Sequence, residues 1–282
     1  MAVSPSSSAQ AARESIAQRL KELRLDAGLN TQGHADRCGW SKSKTSRIEN
    51  TLTTPSDADI RVWCAACDAP GQAQDLITSS RDAESMYVSW KRKQHTGLRR
   101  GQLASVPLYE QTSIFRMYCV KVIPGLLQTE GYARSLLSKI ADFRGLPDDT
   151  AEAAKARVDR SRVIRDGLHR AVLYLEEDAL YHRVGDSQVM ANQLHHLLTA
   201  MSYPAVSLGI IPQGCERVMW GVETFSVFDD KRVHVELLSG KVTLTSPSDV
   251  DVYLRAFLRM REMAVVGSDA RSLIQRAISS LG

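Results

Sequence analysis

No uninterrupted apolar run in the 282 residues approaches the ~18 needed to span a bilayer, so the sequence reads as that of a protein with no membrane span. The opening MAVSPSSSAQAA has neither a basic start nor an apolar stretch. It is therefore no secretory signal and reads as a short flexible tail over residues 1–12. Cysteine is scarce and odd in number; Cys38, Cys64, Cys67, Cys119 and Cys215 point to reduced thiols in a cytoplasm. Enzyme signatures are missing as well. There is no phosphate-cradling GxGxxG or P-loop, no GxSxG nucleophile elbow and no HExxH zinc helix. His182, His195 and His196 lack metal-ligand spacing and read as structural. Glu176-Glu177-Asp178 is a run of acids whose neighbours point apart, so it builds no general acid/base pair; it reads as capping the helix that follows. Neither an enzyme, a cofactor nor a metal has positive support.

What is present is an ordinary globular composition, 43% hydrophobic and 24% charged, in a length that suits about two domains. The net charge is +4, and all of it lies in the first third. Residues 1–102 hold 15 Lys and Arg against 11 Asp and Glu, whereas residues 103–282 hold 21 of each. Such asymmetry suggests an amino-terminal part that meets a polyanion.

The local pattern there is helical. Residues 13–27 place Ile16, Leu20 and Leu23 on one stripe, with Arg and Lys outside it. Gly28 ends this helix, and Asn30 is suited to cap a second, short one running to Cys38, with Ala35 facing inward. Gly39 makes a turn. Ser41 is placed to cap a third helix, KSKTSRIEN, whose Ile48 faces the core. Two short helices joined by a glycine-containing turn form a helix-turn-helix. The second carries Lys42, Lys44 and Arg47 and no acid before Glu49. A fourth helix starts with Ser56 as cap and Asp59 three residues on, a capping-box variant, and carries Ile60, Trp63 and Cys67 as its apolar stripe.

From Leu29-Asn30 through Gly39-Trp40-Ser41 to Ser46-Arg47-Ile48-Glu49-Asn50, the stretch resembles the Xre/Cro family of repressor-like DNA-binding domains, and so implies their five-helix fold. Thr31, His34 and Thr51 depart from the pattern, standing where the family often has glutamine, leucine and glycine. The resemblance puts Lys42, Ser43 and Arg47 at the base-reading positions of the third helix, and Thr31, Gln32, Lys44, Ser46 and Asn50 where phosphates are touched. The chemistry agrees. Arg47 suits the O6 and N7 of guanine, while phosphate contacts set register without reading sequence.

Cys64 and Cys67 form a CxxC, but inside a helical pattern with no strand before it, so they read as buried structural thiols rather than a redox pair. A zinc site would need two more ligands, and His34 with Cys38 is the only nearby pair. A helical pattern continues from Gln72 to about Gln94 and ends in a basic cluster of Lys91, Arg92, Lys93, Arg99 and Arg100 that reads as a solvated linker over residues 79–106.

After Pro107 the pattern turns to mixed α+β. Strands are expected at 114–122, 171–175, 206–211, 224–228, 233–238 and 242–245, and helices after Thr129 and over 148–165, 187–199, 248–263 and 269–280. Ile123-Pro124-Gly125-Leu126-Leu127-Gln128-Thr129, with Tyr132-Ala133 after it, Val189-Met190, Gln193-Leu194, Leu197-Leu198 and Val235-Glu236, resembles the carboxyl-terminal domain of antitoxin-like regulators of high-GC bacteria. That likeness implies regulation beside a small companion protein.

The expectation is therefore an α+β chain: an all-α helix-turn-helix domain over 13–78, then a larger mixed domain over 107–282. Its function would be sequence-specific binding of double-stranded DNA as a cytoplasmic homodimer, under control of a companion protein or a small-molecule effector. Two rivals are a protein-interaction module whose basic helix docks an acidic companion, and a thiol switch at Cys64 and Cys67.

Overall fold

The computed structural model describes residues 5–82, 87–89, 94 and 96–282, with the side chains of 5–13, 81–82 and 87–89 excepted. Lys91, Arg92 and Lys93 of the expected basic cluster lie outside the described residues. The chain forms two compact units, residues 1–87 with 243–250 and residues 88–242 with 251–282.

The first unit is built on five helices: α1 (Pro5–Asp26), α2 (Thr31–Cys38), α3 (Lys42–Glu49), α4 (Asp57–Ala66) and α5 (Ala73–Asp82). Helix α1 begins at Pro5 rather than at Arg13, so the expected tail is largely helical. Proline fits the first helical turn, where its missing N–H is not needed, and Ala and Gln then favour helix. Ile16, Leu20 and Leu23 do face inward, against Ile48, Ile60, Trp63, Leu76 and Ile77. Trp63 is fully buried, and its Nε1–H donates to the Leu20 carbonyl at 2.9 Å, so the one polar atom of the largest core side chain is satisfied. One expectation fails in this stripe. Arg24 is only 5% exposed, because it follows Leu20 by four residues and so lies on the same face.

The helix expected from Gln72 to Gln94 is a single 3-10 turn (Pro70–Gln72) and α5, and Tyr87–Ser89 is a strand, β1. Tyr and Val are strand formers, and pairing within a sheet overrides a helical spacing that short.

The second unit holds β2 (Ile114–Cys119), β3 (Arg170–Glu176), β4 (Val206–Ile211), β5 (Phe225–Phe228) and β6 (Arg232–Glu236); β7 (Gly240–Leu244) begins within it. The sheet order is β1-β7-β6-β5-β2-β3-β4. Strands β2, β3 and β4 run parallel, with Phe115 opposite Ala171 and Ala171 opposite Val206; β5 and β6 pair antiparallel beside them. Strands β3 and β4 are buried on both faces over most of their length, which is why they read as nearly continuous apolar runs, whereas β2 alternates at Arg116. Helices α6 (Arg99–Leu103), α7 (Val106–Gln111), α8 (Glu130–Arg144), α9 (Thr150–Arg160), α10 (Ser187–Ala200), α11 (Pro247–Met263) and α12 (Gly267–Ser279) complete the chain. An all-α amino-terminal part followed by a mixed α+β part is the expected fold class. Pro107, after which the sequence pattern changes, occupies the first turn of α7. Thr129 caps α8 as anticipated, accepting from Tyr132 N.

Candidate nucleic-acid interface

The helix-turn-helix is assembled by its own caps. The Asn30 side chain accepts from Gly33 N at 2.8 Å and starts α2. Gly39 closes α2 in the left-handed conformation, φ 67°, which a residue with a Cβ enters only at a cost. Ser41 then opens α3 by accepting from Lys44 N. The chain reverses within three residues, and α3 is short enough that two inward side chains, Thr45 and Ile48, anchor it.

That anchoring decides what faces out. Lys42, Ser43 and Arg47 are all exposed, and none has a side-chain partner among the described residues. The five residues assigned to phosphates are more varied. Gln32 is exposed and donates to Asp36 Oδ1 at 2.8 Å, while Thr31 is half-buried. Asn50 caps the end of α3 and donates through Nδ2 to the Ser46 carbonyl at 2.8 Å, so Ser46 and Asn50 are joined. Lys44 is held on two sides: Nζ lies 2.6 Å from Asp59 Oδ1 and 4.0 Å from the centroid of the Trp40 ring. Its side chain is still 38% exposed. Burial pushes Asp59 up, but the hydrogen bonds from Lys44 and Ser56 outweigh it and leave the carboxyl below its ordinary range. Asp59 also completes the expected capping box of α4, accepting from Ser56 N at 3.0 Å.

Behind this face the packing is aromatic. His34 is fully buried, 4.0 Å from the Trp63 ring by centroids, with Nδ1 3.5 Å from Thr45 Oγ1. Burial brings its imidazole down to about 4, so it is neutral near pH 7. Cys64 and Cys67 line the inner side of α4 as free, buried thiols, and burial raises Cys67 to about 11. A thiolate is disfavoured there, the reverse of what a thiol switch requires. Sequence reasoning missed the pair that fixes α3 from behind. Arg24 binds Glu49 through Nε at 2.5 Å, and its Nη1 donates to the Leu29 carbonyl at 2.5 Å. A charged residue in register with an apolar stripe was the available signal.

A family model described as a helix-turn-helix domain matches residues 15–76, the domain type of DNA-binding regulators. A second, described as a domain of unknown function, DUF5753, matches residues 107–276, more than half of the chain. The chain belongs to the DUF5753 family. No curated protein and no solved structure matches it.

Within the DUF5753 region the acidic run stands at the start of a 3-10 turn, Glu177–Leu180, with Glu176 at its N-cap position but no side-chain capping bond. Glu176 takes a bidentate contact from Arg217 at 2.8 and 2.7 Å and a bond from the Tyr118 hydroxyl at 2.7 Å. Glu177 accepts from Gln213 N, and Asp178 pairs with Lys121. These carboxylates are tied down at the ends of β2 and β3 and by the neighbouring loops. His182 and His195 each sit against a backbone carbonyl four residues back. Among the described residues no group of three or more His, Cys, Asp or Glu is arranged to hold a metal ion, and no helix is long and apolar enough to cross a membrane.

Proposed function

We propose that this chain is a sequence-specific transcriptional regulator of the Xre/Cro type that binds double-stranded DNA in the cytoplasm. One observation carries the reading: Lys42, Ser43 and Arg47 stand free on the outer face of α3, while Thr45 and Ile48 lock its inner face into the core. A helix held in that way enters a major groove with its first residues toward the base edges. Arg47 is the guanine-reading group, Lys42 a less rigid one, and Ser43 tolerates several partners. Thr31, Gln32, Ser46 and Asn50 are assigned to phosphates, as is the exposed part of Lys44.

A single short helix covers few base pairs, which favours a homodimer with two α3 helices in successive major grooves, about 10 bp apart. The DUF5753 region then serves dimerisation or receives a small companion protein or a small molecule, in the manner of antitoxin-like regulators. Whatever binds there alters DNA affinity only by favouring one conformation over another. No catalytic role is assigned.

Selection from a random duplex pool, followed by titration of the enriched sequence, tests the proposal. The expected result is an enriched duplex bound at least ~1,000-fold more tightly than random DNA of the same length. Equal affinity for both overturns it, and directs attention to an acidic protein as the target of the basic helix.

A further inference from the structure

Helix α9 carries two arginines three residues apart, Arg157 and Arg160, which that spacing sets on one face. They line a pocket of about 130 Å³ together with Arg144 and Lys241; among the described residues Glu236 is the only acid in its wall. Room for on the order of four waters at ~30 Å³ each suits a small ion or a short carboxylate, and is too little for a nucleotide.

Among the described residues neither Arg157 nor Arg160 makes an ion pair there, and Glu236 acts on Arg157 only across the pocket. Arg157 donates from Nε to Gln102 Oε1 at 3.3 Å and from Nη1 to Gln128 Oε1 at 2.8 Å. Arg160 donates from Nη1 to the same Gln102 Oε1 at 3.1 Å and lies 4.2 Å over the Tyr109 ring. Every polar partner is therefore a neutral amide, and no carboxylate comes within ion-pair distance of either guanidinium among the described residues. Arg160 is 9% exposed, and its buried Nε–H has no acceptor. Arg157 is half-buried, and desolvation pulls its guanidinium down to about 10, still cationic near pH 7. Buried charge without a counter-charge is costly, and buried donors are rarely left unmet. The larger groove on the other side of Arg160, about 660 Å³, mixes Glu110, Glu152 and Asp159 with bases and has no such imbalance.

We propose that this pocket is a binding site for a small oxyanion, a phosphate or a carboxylate, gripped by Arg157 and Arg160 with Arg144 and Lys241 beside them. Guanidinium forks match both oxyanions bidentately. The site stands apart from the DNA-binding reading, since all the residues that form it lie in the second compact unit.

The full chain is titrated calorimetrically with inorganic phosphate and, separately, with succinate, at constant ionic strength set by chloride. The arm that responds tells phosphate from carboxylate. The expected result is one site per chain and a melting temperature that rises with the anion beyond the chloride control. Arg157→Gln weakens binding about tenfold or more. Gln102→Glu guards against a misfolded arginine variant, because it supplies an internal carboxylate where Gln102 Oε1 now meets both guanidiniums. It is expected to melt higher in chloride alone and to lose the response to the anion. Binding of neither anion overturns the proposal, as does unchanged binding by Gln102→Glu. A response abolished by Arg47→Ala instead overturns it by putting the anion on α3.

Discussion

Arg24 and Glu49, 25 positions apart, form a buried two-pronged ion pair, Nε to Oε1 at 2.5 Å and Nη2 to Oε2 at 3.3 Å. It ties the end of α1 to the end of α3, and through Arg24 Nη1 to the Leu29 carbonyl that precedes α2. The angle at which α3 is presented is therefore set from behind by a group that faces no solvent. Glu49→Ala would leave the guanidinium buried and unpaired, and is expected to cost about 3–5 kcal/mol. Arg24→Met combined with Glu49→Leu should recover most of that loss. Urea unfolding followed by tryptophan fluorescence checks both, and a mild effect of the single change would show that the pair holds little.

The buried imidazole of His34 predicts an acid-sensitive domain. Its pKa in the fold is about 4, below the ordinary value of 6.5, so the unfolded chain takes up the proton first as pH falls. Its contribution is fully present above about 6.5 and is lost progressively down to about 4, on the order of 3 kcal/mol across that window. His34→Leu should flatten this part of the stability-against-pH curve. An unchanged slope in urea titrations between those values would contradict the assignment.

Lys44 and Asp59 couple the recognition helix to the start of α4. The depressed carboxyl of Asp59 contributes stability that is present above the unfolded carboxylate range and lost as pH falls through its folded value. Asp59→Asn is expected to cost about 1 kcal/mol, since the pair is partly open to water and one arm of the capping box goes with it. It should also free the Lys44 ammonium and raise affinity for random duplex. Lys44→Ala should lower affinity for all sequences alike and flatten the salt dependence. Titrations at several salt concentrations distinguish these outcomes.

Arg47 is the sharpest test of base reading. Arg47→Ala is expected to cost ~1–3 kcal/mol in operator binding and to relax preference at one base position, with the fold unchanged because the side chain is exposed. Repeating the duplex selection with the variant reads both effects. A uniform loss across sequences would reassign Arg47 to phosphate.

Thr51 sits just past α3 at φ 57°, a left-handed conformation that a β-branched residue adopts at a cost of ~1–3 kcal/mol. Thr51→Gly removes that strain and loses ~0.4–1 kcal/mol to unfolded-state entropy. A net gain of about 1 kcal/mol is expected, seen as a higher melting temperature.

The helix-turn-helix was legible because its signals are local. Asn30, Gly39 and Ser41 act within three or four residues of where they stand, and Ile48 declares the inner face of α3. The strands of the second unit were legible for a similar reason, since β2 alternates apolar and polar residues and β3 and β4 are largely apolar runs. Yet Arg24 was read as a surface residue, because its burial depends on Glu49 arriving from another helix. Tyr87–Ser89 was read as helix, because a three-residue strand exists only when a sheet edge is there to pair with.

Caps, turns and faces of single elements were thus written in short-range order, where backbone sterics and hydrogen bonding act between near neighbours. Which charges meet, and which are left to face a cavity, was decided only by packing. Lys44 found Asp59, and Glu176 found Arg217, while Arg157 and Arg160 found neutral amides as their hydrogen-bond partners. Long-range electrostatics depends on distances between elements far apart in the chain, and those distances exist only once the elements have packed.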